Sequence, residues 1–257
     1  TNSTISNNSA SEAAGSGGGV LTVGGDVSIS DTMITDNIAA RAGAGIEIIA
    51  GTVEITDTTF NGNVFDELGN GPGNGAGLHV TADATTIVNG GAFTNNGGAE
   101  TEEGGGLWNS ATGDMTISGT MITGNTASGP GADQGGGGVF NNGGTLTIEG
   151  ATITGNMADG TAGSGGGVLT VDGDVSISDS EIGGNSATRA GGGIEIIAGA
   201  VEIDDTDFDG NSTGASPGNG GGLHVTADAT TTVSGGSFIN NTASEEGGGL
   251  WNSATGT

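Results

Sequence analysis

Two short motifs alternate along almost the whole chain, and their spacing constrains the fold more than any other feature. The first is Gly-Gly-Gly or Gly-Ala-Gly followed by an aliphatic residue. It places Val20, Ile46, Leu78, Leu107, Val139, Val168, Ile194, Leu223 and Leu250 in one series. The second is Ile/Phe-x-x-Asn, whose asparagines are Asn8, Asn37, Asn63, Asn96, Asn125, Asn156, Asn185, Asn211 and Asn241. Successive copies lie about 29 residues apart, the period of a stacked solenoid. Within each repeat the apolar period is two, as in Ile46-Glu47-Ile48, Val27-Ser28-Ile29 and Thr152-Ile153-Thr154. That alternation is the mark of strands, and the Gly, Asn and Asp between the segments are turn formers.

Composition makes the repeat decisive. With 59 Gly and 3 Pro in 257 residues, an aperiodic chain would read as disordered. Collagen is excluded because glycine does not occupy every third position. The absence of Cys excludes disulfide stapling. Two Lys+Arg against 30 Asp+Glu give a net charge of −28. Such a polyanion repels nucleic acid and anionic lipid, so neither nucleic-acid binding nor membrane insertion is expected. One coil cannot bury its own inward face, but stacked coils share a continuous aliphatic column. The prediction is an all-β parallel β-helix, with three short strands per coil, about 29 residues per coil and about nine coils. The repeated Asn falls at a strand end, where stacked amides can bond from coil to coil.

The pairing of Gly-Gly-Gly-aliphatic with Ile/Phe-x-x-Asn resembles the repeats of chlamydial-type polymorphic outer membrane proteins, from Ile5 to Trp251. That resemblance implies a right-handed parallel β-helix and a role in surface display and adhesion. The third motif position is Gly where that family has Ala, and Ile often replaces Phe.

A longer repeat lies above the first. Gly15–Val23 returns as Gly163–Val171, and Arg41 returns as Arg189, both at an offset of 148 residues. His79 returns as His224 and Trp108 as Trp251, the shortening being confined to loops such as 64–77 against 212–222. The chain therefore reads as a single continuous solenoid over 1–257, with long units 1–148 and 149–257, five coils per complete unit and the second unit incomplete. Both ends fall within coils, which reads as an excerpt of a longer repeat protein.

Groups for catalysis are scarce. There is no Cys, Lys or Tyr, and the two His lie one long unit apart, about 24 Å at the strand spacing. Arg41 and Arg189 read as isolated, so no enzyme activity is expected and a polysaccharide-active β-helix enzyme is the third reading. The densest carboxylate group contains Asp205, Asp207 and Asp209, which are calcium candidates through their hard oxygens. The other reading of that group is a solvated acidic face that collects diffuse cations. No other cofactor is expected.

The row just after the aliphatic anchors points outward by alternation. It contains Leu21, Trp108, Phe140, Leu169 and Trp251, which form a candidate contact stripe for a second copy, a glycan or a receptor. The other reading is that neighbouring loops such as 128–134 cover them. Taken together, the sequence predicts a structural, extracellular, secreted or cell-surface rod that associates end-to-end or laterally, with an adhesin passenger as the alternative.

Overall fold

The computed structural model describes residues 1–66, 72–215 and 217–253. Parts of the loops 64–77 and 212–222 lie outside the described residues. Among these residues there is no helix, and hence none long and apolar enough to cross a membrane. All strand pairs are parallel, and each strand pairs with its counterpart one coil away.

One interior coil shows the pattern. Leu107–Asn109 follows the glycines, Asp114–Ser118 comes next, and Met121–Thr123 carries the Asn motif. A fourth strand, Thr126–Ala127, is added directly after Asn125. Two residues are too few to show alternation, so this strand has no periodic signature. In later coils the first two strands run together, as Ile194–Asp204 and Leu223–Ser234.

The nine aliphatic anchors pair one to one from Val20 to Leu250 and stand in single file through eight turns. The Ile/Phe anchors do the same from Ile5 to Phe238. With the inward residues of the second strand, such as Met115 and Ile117, all of these anchors except the exposed Leu250 form one continuous core. Phe60 stacks on Phe93 with centroids 4.3 Å apart, and Phe208 on Phe238 at 4.4 Å. Burying each such side chain contributes roughly 1.5–3 kcal/mol, and a single coil has no neighbour against which to gain it.

The glycine motif has two separate causes. Gly104 has φ +63°, and a Cβ there would lie 3.0 Å from the Trp108 Cβ. Gly106 lies so close to the next coil that a Cβ would meet the Gly138 carbonyl oxygen at 2.5 Å. The first glycine is needed for its left-handed backbone and the third for close approach between coils.

Candidate functional site

The nine asparagines form an unbroken axial ladder. Asn125 Oδ1 accepts from the backbone N–H of Asn96 at 2.9 Å and from its Nδ2 at 3.0 Å. Asn125 Nδ2 donates to the Phe93 carbonyl at 2.9 Å and to Asn156 Oδ1 at 2.9 Å. The same carboxamide chain runs from Asn8 through Asn37, Asn63 and Asn96, and on through Asn156, Asn185 and Asn211 to Asn241. Buried amides are thereby satisfied on both sides. A second polar file sits at the preceding turn. Thr32, Thr58, Thr120, Ser180 and Thr206 each donate a hydroxyl to the carbonyl two residues earlier. These hydroxyls carry no apolar signal, so no hydrophobic periodicity marks them.

The outward row holds the main correction. Trp108, Phe140 and Leu169 are 7%, 1% and 0% exposed and make a separate apolar cluster, against which Val171 and Ile197 pack. The contact stripe expected there is interior. The backbone of the glycine-rich lead-in packs against the base of these side chains. A Cβ on Gly104, Gly136 or Gly165 would come within 3.0, 3.0 or 2.7 Å of the Cβ atoms of Trp108, Phe140 and Leu169. Only Leu21, 48% exposed, and the half-buried Trp251 keep open surface, both on terminal coils.

The same row carries charge into this covered layer. Glu47 is fully buried, and Arg41 Nη2 donates to its Oε1 at 3.2 Å. His79 Nδ1 lies 3.7 Å from that oxygen, and the imidazole stacks on Trp108 with centroids 4.4 Å apart. Trp108 Nε1 donates to Glu103 Oε2 at 3.0 Å. The second unit repeats this: Arg189 donates to Glu195, His224 Nδ1 lies 3.4 Å from Glu195, and His224 stacks on Trp251 at 4.5 Å. Neither arginine is therefore isolated, which corrects the sequence expectation. A signal was available, since Glu, His and Trp follow one another in the outward row of both units, with Arg at the same offset.

Burial raises the Glu47 carboxyl above the usual carboxylate range, against the opposing pull of Ser16 and Arg41. Burial, then the Arg41 charge, lowers His79 to about 3. Burial also raises Glu103, although Trp108 bonds to it. A carboxylate–imidazole pair is the usual apparatus of general-base chemistry. Here Glu47 is fully buried and His79 only 4% exposed, so the pair offers no face to a dissolved substrate.

The calcium candidates are not brought together. Asp205 occupies a left-handed turn position (φ 41°), as Asp31, Asp57 and Asp179 do in other coils. Asp207 and Asp209 flank inward Phe208, point to solvent, and accept from Ser237 at 2.7 Å and Asn240 at 3.0 Å. Among the described residues no group of three or more His, Cys, Asp or Glu is placed to hold a metal ion.

A family model described as a right handed beta helix region matches residues 102–238, more than half of the chain. The chain belongs to the right-handed β-helix family. Neither a curated protein nor a solved structure matches it. Right-handed β-helices include enzymes and non-enzymes, so membership establishes the fold and leaves the role to be argued from the residues.

Proposed function

We propose that this right-handed β-helix is a structural rod, a stiff segment of an extracellular or cell-surface repeat protein. The observation that supports the reading is the unbroken polar ladder from Asn8 to Asn241 beside an equally continuous core. Axial backbone hydrogen bonds, the amide chain and the aliphatic file all resist bending in the same direction. The resemblance to polymorphic outer membrane protein repeats favours surface display, and the charge of −28 favours solubility in saline surroundings. Trypsin-type proteases have only two basic residues to cut after. Both scissile bonds lead into buried alanines, Ala42 and Ala190, that sit in parallel bridges.

Electron microscopy tests the reading. Straight particles of constant width are expected, with their length set by about 4.8 Å per coil. Compact globules or particles that bend freely would rule it out. Surface labelling of intact cells addresses location, and a protein reached only after lysis would remove the extracellular assignment.

A further inference from the structure

The repeated motifs leave one property of the stack open: the order of its coils. The aliphatic anchors and the Asn ladder have the same chemistry in every coil. They set how one coil lies on the next without distinguishing one coil from another. Weakly specified pairing of this kind invites slippage and exchange of elements between copies.

The covered outward file does distinguish the coils. Members of the file contact different partners on the adjacent coil, Glu47 and His79, His79 and Trp108, Trp108 and Phe140, while Arg41 holds Glu47 from within its own coil. The order Arg, Glu, His, Trp recurs as Arg189, Glu195, His224, Trp251. Satisfaction is incomplete in both copies, since Glu47 Oε2, His79 Nδ1, Glu195 Oε2 and His224 Nδ1 have no hydrogen-bond partner. Buried charge held in this way adds little stability, and its best-attested use is to specify one arrangement against others.

We propose that the Arg–Glu–His–Trp file is the ordering key of the solenoid: it selects which coil stacks on which. A stack that skips the His79 coil would set Glu47 against Trp108. One that skips the Glu47 coil would set His79 against Leu21. In the native stack Glu47 lies between Leu21 and His79, and His79 between Glu47 and Trp108. Either skipped stack removes that one polar neighbour and leaves the buried polar group between two apolar ones, so such stacks are disfavoured. The inference rests on the stacked fold and is independent of the rod's biological setting.

The absence of cysteine makes the test direct. Ser28 pairs with Glu54, and Ile87 stands one coil further along the same row. A thiol crosslinker reaching about 5 Å spans one coil and not two. After unfolding and refolding, the parent carrying Ser28→Cys with Glu54→Cys should crosslink, and that carrying Ser28→Cys with Ile87→Cys should not. The key is then removed by Arg41→Leu, Glu47→Leu and His79→Leu together with Arg189→Leu, Glu195→Leu and His224→Leu. This variant should be at least as stable as the parent at pH 7 and should give both crosslinks. A second variant, Glu47→His with His79→Glu, keeps the composition but reverses the order, and should be less stable than the parent. The proposal is overturned if the leucine variant gives only the neighbouring-coil link or is less stable than the parent. A reversed variant as stable as the parent also overturns it.

Discussion

Glu47 and His79 respond to acid in opposite directions. The folded carboxyl of Glu47 titrates above its unfolded value, so its ionised form weakens the fold. That penalty is present at neutral pH and relieved as pH falls through the raised value. Glu47→Gln should therefore gain stability over the parent at pH 7, and the gain should disappear below the unfolded value of 4.5. His79 titrates near 3 when folded and 6.5 when unfolded. Its neutral ring contributes stability above 6.5 that is lost toward 3, at a slope of about 1.4 kcal/mol per pH unit. In the parent the two effects offset each other in part, so Glu47→Gln should lose stability more steeply from pH 6.5 to 4.5. Urea unfolding of both proteins across that range decides it; parallel curves would show that Glu47 does not titrate as described.

At the scale of the coil, polar ladder and glycine motif act on the same contact. Asn125→Ala removes the acceptor for two Asn96 donors and the donor to the Phe93 carbonyl. Leaving buried groups unmatched costs roughly 1–3 kcal/mol each, so a loss of several kcal/mol is expected in denaturant unfolding. Asn125→Asp should cost at least as much at neutral pH, because its second oxygen meets two acceptors, the Phe93 carbonyl and Asn156 Oδ1, and the charge is fully buried. Gly106→Ala drives a methyl into the Gly138 carbonyl at 2.5 Å, a backbone obstacle that no side-chain rotation relieves. Its destabilisation should exceed that of Gly119→Ala, where a Cβ meets nothing within 4 Å and only the left-handed φ of 57° opposes it. Equal effects at the two glycines would show that backbone conformation, and not coil spacing, governs the motif.

Across the whole molecule, repulsion accumulates with stacking. Thirty acidic residues against two arginines, on coils about 4.8 Å apart, place like charges well within one Debye length, about 10 Å at 0.1 M salt. Both arginines are already committed to Glu47 and Glu195. Raising NaCl from 0.05 to 1 M should therefore raise the melting temperature, with a monovalent salt sufficient. A melting temperature that falls with salt would mean that the arginine–glutamate pairs outweigh the repulsion between coils.

Much of this molecule is legible from its residues because the organising interactions repeat at a fixed interval. An alternation of two decides which face of Leu107 or Ile122 turns inward, and a 29-residue recurrence brings each anchor above the last. The paths between strands obey no such rule. Glycine-rich segments of similar composition could extend into solvent or double back, and only the folded chain decides that they pack against Trp108 and Phe140, which are buried. The same holds for Arg41, Glu47 and His79, whose meeting depends on a lead-in folded against two neighbouring coils. Periodicity determined the column; burial on the column's outer side was decided by tertiary packing, because cover depends on contacts between segments that no local pattern pairs.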